Sequence, residues 1–287
     1  MIVVTGATGG LGSLIVSKLL ERVAAEQIGV SVRNPAKAEE LAARGVRVRR
    51  GDFAEPSTLQ GAFAGASQLL LVSSNAAASG GDSLAQHRDA IAAAKQAGVR
   101  RIVYTSQIAS SDTSLFEPGL VHAATEKMLS ESGLAWTALR NGFYATRAVM
   151  ESDTAMKSGA IATPEDGKVS WTSHTDLAEA AATILANEGR FDGPTPPLTG
   201  GEALDYTDLA AMLTELLGRP ILRKVISDSE FENKMAARGL PPQLVKLAGS
   251  YYPAARALEF ATVDPTLEQL IGRKPETLRS LVAAKLA

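Results

Sequence analysis

Short apolar runs alternate with amphipathic ones through the first half of the chain, and this alternation restricts the fold more than any other feature. "MIVVTG" leads into "LGSLIVSKLLERV", "IGVSVR" into "PAKAEELAARG", "VRVRRGDF" into "STLQGAFAG", and "QLLLVSS" into "LAQHRDAIAAAKQAG". "RRIVYTS" leads into "VHAATEKMLSESG", and "AWTALRNGF" follows. Strand-length apolar runs separated by helical stretches mark βαβ units, and such units build a parallel sheet. Their crossovers are right-handed. The expected fold is therefore α/β, with a doubly wound parallel sheet of the Rossmann kind.

The pattern changes near residue 145. We expect a dinucleotide-binding Rossmann domain over residues 1–145 and a smaller, mostly helical substrate or cap region over 146–287. A stretch at about 168–188 is expected to return to the first domain. "TDLAEAAATILANE" reads as a helix with Thr175 as its cap, and "FDGPTPPLTGG" as a loop-rich connector. "DSEFENKMAARGLPPQLVKLAGSYY" reads as two short helices broken at Pro241 and Pro242.

Composition narrows the function. With 29 Lys and Arg against 31 Asp and Glu, the net charge is −2, which argues against a nucleic-acid or membrane-surface partner. The chain has no cysteine, so neither a disulfide framework nor a thiolate metal site can form. Met1 runs directly into a strand with no basic segment before it, and apolar runs stay short of the ~18 residues of a membrane helix. The expectation is a cytoplasmic protein. Three scattered histidines make no metal site.

The turn after the first strand, "VVTGATGGLGS", carries Gly6, Gly9 and Gly12 in a G-x-x-G-x-x-G spacing. Glycine permits a tight turn, lets backbone approach a pyrophosphate and lets the following helix pack on the sheet. The helix start then offers free N–H groups and partial positive charge to the anion. Gly6, Ala7, Thr8, Gly9, Gly10, Leu11 and Gly12 are thus expected to cradle a dinucleotide, with hydroxyls of Thr5 and Thr8 nearby. An NAD-binding turn would be followed, about 20 residues on, by a carboxylate for the ribose 2′-hydroxyl. Here the second strand ends in Arg33, with Asn34 beside it, Lys37 one turn further and no carboxylate in 28–38. A guanidinium suits a 2′-phosphate, so NADPH is the expected cofactor. Asp52 and Phe53, taken as the end of the third strand, are expected to flank the adenine. Ser73 and Ser74 end the fourth strand at the edge where open sheets bind ligands.

"VTGATGGLG", "VRNPAKAEEL", "GVRVRRGDF", "AGVRRIVYTS", "HAATEKML" and "LRNGFY" together resemble the NmrA-like atypical short-chain dehydrogenases. Within that group they are similar to bacterial NAD(P)H:quinone oxidoreductases and to triphenylmethane reductases. The resemblance implies an NADPH-binding domain and a substrate cleft beneath a small C-terminal domain. It implies that Ser73, Thr105, Ser106 and Asn141 line the nicotinamide side, and that Asn75, Gly142, Phe143 and Tyr144 meet the substrate. The Tyr-x-x-x-Lys pair of typical short-chain dehydrogenases is missing. His122 stands at the lysine position and Pro118 at the tyrosine position. Alcohol–ketone chemistry and sugar-nucleotide epimerisation, which need that acid–base pair, are disfavoured.

Hydride transfer to a quinone asks less of the protein. The acceptor must stack on the nicotinamide with water excluded. His122 and Tyr104 are the candidate proton-handling groups. Each has a structural alternative: a helix-start histidine satisfied by backbone or by Glu126 one turn away, and a core tyrosine sharing a strand face with Ile102 and Ser106. Phe143 and Tyr144 would form an aromatic wall for a flat acceptor. His87, followed by Arg88 and Asp89 in a charged helix, reads as solvated, and His174 as a loop residue before a helix. The expected activity is NADPH-dependent reduction of a quinone or aromatic, dye-like electrophile. The alternative is a non-catalytic NADP(H)-binding redox sensor, as founders of the family are. A small-molecule acceptor is the expected partner, and a homodimer is allowed.

Overall fold

The computed structural model describes residues 1–286. Strands β1 (Ile2–Thr5), β2 (Ile28–Val32), β3 (Arg47–Arg50), β4 (Gln68–Leu71), β5 (Arg101–Gln107) and β6 (Ala135–Asn141) form one parallel sheet in the order β3-β2-β1-β4-β5-β6. The order reverses direction between β1 and β4, the switch point at which open α/β sheets bind ligands. Helices α1 (Gly10–Leu20), α2 (Glu39–Ala43), α3 (Leu59–Phe63), α4 (Ser83–Gln96) and α5 (Glu117–Glu131) make the crossovers.

Strand alternation sorts the core. Val3, Leu69, Leu71, Ile102, Tyr104 and Ala138 face α3, α4 and α5. Val4, Val30, Leu70, Val103 and Leu139 face the other way and pack on Leu11, Ile15, Val16 and Leu19 of α1. Each buried aliphatic side chain contributes about 1.5–3 kcal/mol by leaving water. Gly98 and Gly133, at φ 78° and 77°, end α4 and α5 in the left-handed conformation their sequence positions predict.

After β6 the chain builds α6 (Thr146–Ser158) and β7 (Ala160–Thr163), then returns. Helix α7 (His174–Ala186) lies along α1 and buries Leu177, Ile184 and Leu185 in the same core. β8 (Gly193–Pro194) then adds to the free edge of β6 as a seventh parallel strand. This strand lies inside the segment read as a loop connector. Two residues cannot display an alternating pattern, and Pro194 is tolerated because the edge needs no N–H from it. The cap of α7 is Ser173, whose side chain accepts from the Asp176 N–H; Thr175 sits inside the first turn. Both residue types cap well, so composition alone does not separate them.

The remaining chain forms α8 (Tyr206–Leu217), β9 (Leu222–Val225), α9 (Asp228–Ala237), α10 (Pro242–Gly249), α11 (Tyr251–Arg256), α12 (Thr266–Ile271) and α13 (Leu278–Leu286). β9 pairs in parallel with β7 in a separate two-stranded sheet. The Pro241–Pro242 break separates α9 from α10 as expected, with a third helix, α11, following it. Trp171, Tyr206, Tyr251 and Phe260 centre a second core in this region. Glu259 ties the region to the loop before α5, accepting from the Leu115 N–H at 2.8 Å and from the Ser114 hydroxyl.

Candidate active site

The carboxyl ends of six parallel strands carry the site residues in a row. From one side to the other these are Asp52 and Phe53, Arg33, the glycine loop, Ser73 and Ser74, Thr105 and Ser106, then Asn141 to Tyr144. At about 4.8 Å per strand the row spans roughly 20–25 Å.

The glycine loop fits a dinucleotide. Gly6 has φ +60°, which an L side chain rarely adopts. A Cβ on Gly12 would lie 2.2 Å from the Gly6 carbonyl oxygen. Gly9 is the N-cap of α1 and brings no side chain to satisfy its first N–H groups. Those donors therefore remain for an anion. Gly6, Thr8, Gly9 and Gly10 are exposed, whereas Ala7, Leu11 and Gly12 pack inward. Thr5 is committed elsewhere: its buried hydroxyl donates to the Leu70 carbonyl and accepts from the Val72 N–H, pinning β1 to β4.

Arg33 and Lys37 are exposed, and among the described residues neither side chain makes an ion pair or a hydrogen bond. Asn34 accepts from the Ala36 N–H, and Pro35–Ala38 forms a short 3-10 turn leading into α2. A cleft of about 380 Å³ opens between the loop and α2, lined by Ala7, Thr8, Ser13, Lys37, Ala38, Leu41 and Arg44, and also by the carboxylate-bearing Glu40. Asp52 and Phe53 lie past β3, which stops at Arg50. The Asp52 carboxylate accepts from the Ala54 N–H in a tight turn.

On the other side of the glycines, several named side chains already have internal partners. The Thr105 hydroxyl accepts from the Ser73 N–H at 2.8 Å. The Ser106 hydroxyl donates to Glu126 Oε1 at 2.6 Å, and Glu126 pairs with Arg140 at 2.8 Å. Asn75 is exposed and leads a short 3-10 turn. Asn141 is buried with its Oδ1 unpartnered. Gly142 is required by close approach, since a Cβ there would lie 2.2 Å from the Thr172 hydroxyl.

Phe143 and Tyr144 do not share one wall. Extended backbone sends them to opposite sides. Phe143 joins Phe116, Phe260, Tyr251 and Trp171 at centroid distances of 4.6–5.8 Å. Tyr144 packs on the Rossmann core and meets the ring of His174 edge-on at 4.4 Å. Phe116 and Phe143 are the half-buried members of the aromatic cluster.

Tyr104 is fully buried, and its hydroxyl lies 2.7 Å from His122 Nδ1. Burial pushes the phenol well above its ordinary pKa, so it stays protonated. His122 is half-buried on α5, and desolvation lowers its pKa to about 4. Its partner is Tyr104; Glu126, the partner the helical spacing suggested, is engaged by Ser106 and Arg140.

His87 departs from its sequence reading altogether. It is fully buried, its Nε2 accepts from the Ser74 N–H at 2.8 Å, and its Nδ1 donates to the Thr125 hydroxyl at 2.9 Å. Desolvation first, and then the nearby His122, lower its pKa to about 3. A neutral imidazole thereby fixes the loop after β4. The signal was present: His87, Ala90, Ile91 and Ala94 share one helical face at positions i, i+3, i+4 and i+7.

Comparison with known proteins shows the family to which the chain belongs. The profile of a family described as NAD(P)H-binding matches residues 6–188. The chain belongs to that family. It is an NmrA-like oxidoreductase, and NAD(P)H is its cofactor. It is 39% identical to quinone oxidoreductase 2 of Escherichia coli over 99% of this chain and 98% of that protein. An NAD(P)H azoreductase of Xenophilus azovorans is 32% identical, over 100% and 98%. The crystal structure of the NADPH-dependent quinone oxidoreductase QOR2 of Escherichia coli, complexed with NADPH, superposes with a TM-score of 0.93 at 36% identity, covering all of both chains. No helix among the described residues is long and apolar enough to cross a membrane. No cluster of three or more metal-ligating side chains occurs among them.

Proposed function

We propose that this oxidoreductase uses NADPH to reduce quinones and similarly flat, electrophilic acceptors such as azo dyes. The observation that carries the cofactor preference is Arg33, an unpaired guanidinium at the tip of β2 beside the glycine loop, with no carboxylate in its segment. NADH would leave that cation without a phosphate partner, whereas a 2′-phosphate gives it a charge-assisted pair.

Gly6 to Gly12 hold the diphosphate through backbone N–H groups, and Lys37 adds positive charge at the adenosine end. Bound there, NADPH supplies a hydride. The acceptor needs that hydride and one proton, which together complete its two-electron reduction. The protein needs only weak acid chemistry, in keeping with the missing Tyr-x-x-x-Lys pair. Tyr104, held protonated, donates to His122 Nδ1. That leaves the His122 proton on Nε2, where it can donate a hydrogen bond to an acceptor oxygen while the ring stays neutral. Half-buried Phe143 and Phe116 give the acceptor a flat apolar neighbour and limit water. The quinone-reducing and azo-reducing names of two relatives support this acceptor class.

The test is a panel of quinones, azo dyes, aldehydes and ketones with NADPH oxidation followed by absorbance. Turnover is expected with quinones or azo dyes and not with simple aldehydes or ketones. Aldehyde reduction without quinone reduction contradicts the acceptor class. Tight NADPH binding with no acceptor reduced points to the sensor role.

A further inference from the structure

The three histidines differ in how their ring nitrogens are used. His87 has both engaged, and His122 has Nδ1 engaged by Tyr104. Among the described residues, His174 has neither nitrogen hydrogen-bonded. Its Nε2 is closed off from solvent without a partner.

The position of this imidazole is specific. His174 is the first residue of α7, which packs alongside α1 with the two N-termini at the same sheet edge. Its Nδ1 lies 4.0 Å from the point a Cβ on Gly10 would occupy, and Gly10 opens α1 at the diphosphate cradle. On its other side the ring meets Tyr144, which follows β6 at the nicotinamide end of the row. His174 thus stands between the cradle and the end of β6. Burial lowers its pKa, so the ring carries one N–H. With the proton on Nδ1, that donor faces the cradle and not the closed, partnerless Nε2 position.

We infer that His174 binds the cofactor directly, its Nδ1–H donating to an oxygen of the diphosphate's nicotinamide-side phosphoryl group. The inference rests on the dinucleotide site proposed above and adds a contact from α7, an element outside the glycine loop.

Calorimetric titration of the full chain with two ligands tests it. NADPH carries both phosphoryl groups of the diphosphate. Adenosine 2′,5′-bisphosphate carries the 2′-phosphate and only the adenosine-side phosphoryl. His174→Phe keeps the packing on Tyr144 and removes the donor. It should weaken NADPH by about tenfold to a hundredfold, the range for a hydrogen bond to a charged group, and leave the bisphosphate within about twofold. His174→Gln, which keeps a donor, should bind NADPH more tightly than His174→Phe. Unchanged NADPH affinity in His174→Phe overturns the inference, as do equal losses for both ligands, which would report a displaced loop. Failure of the wild type to bind either ligand removes the cradle itself, and this inference with it.

Discussion

The Tyr104 hydroxyl stands 2.7 Å from His122 Nδ1, joining a residue with no solvent exposure to a half-buried one. The strand supplies a protonated phenol and the helix a neutral imidazole. His122→Ala should slow quinone reduction by less than the ~10²–10⁴-fold range of general acid catalysis, because a neutral donor only polarises the acceptor. Tyr104→Phe should cause a smaller loss, with NADPH affinity unchanged in both. Steady-state kinetics check this. Abolished turnover in His122→Ala would assign that residue a larger role.

Gly12 is a steric requirement of the loop. A Cβ there would lie 2.2 Å from the backbone oxygen of Gly6, an atom that cannot swing aside. Gly12→Ala should cost about 1–3 kcal/mol of stability, the usual range for overpacking, and should abolish measurable NADPH binding. Thermal melts with and without NADPH provide the readout. A variant that melts normally and is still stabilised by NADPH would contradict the cradle geometry.

His87 makes stability depend on pH. Its folded pKa is about 3 against an ordinary value of 6.5. Between those values the unfolded chain binds a proton that the folded chain excludes. The contribution is full above about pH 6.5 and is lost as pH falls toward 3. From pH 7 to pH 5 this group should remove about 2 kcal/mol, at 1.36 kcal/mol per pKa unit. Denaturant midpoints at the two pH values check it. His87→Gln, which keeps an acceptor for the Ser74 N–H, should remove the His87 share of the difference and leave the share due to His122, whose pKa is also lowered, to about 4.

Much of the sheet and the cradle was legible because both rest on local rules. Strand alternation orders the core, and the glycine spacing needs only the turn and helix beside it. What sequence did not reveal depends on tertiary packing. His87 has charged neighbours, yet α4 turns its face inward against the sheet. Glu126 is one helical turn from His122, but Ser106 and Arg140 claim it from β5 and β6. Phe143 and Tyr144 are adjacent in sequence and separate in space, because an extended backbone alternates its sides. β8 is too short for any periodic signal. The unpartnered ring of His174 emerges only when α7 is seen to lie beside α1.

On the proposed function, the glycine cradle and Arg33 together select the phosphorylated dinucleotide. The most direct measurement is the dissociation constant of NADPH against that of NADH, by calorimetry, for the wild type and Arg33→Asp. NADPH should bind the wild type more tightly than NADH. Arg33→Asp should lose about 1.5–3 kcal/mol or more for NADPH alone, the value of a hydrogen bond to a charged group. Equal affinities in the wild type, or an unchanged NADPH constant in Arg33→Asp, would contradict it.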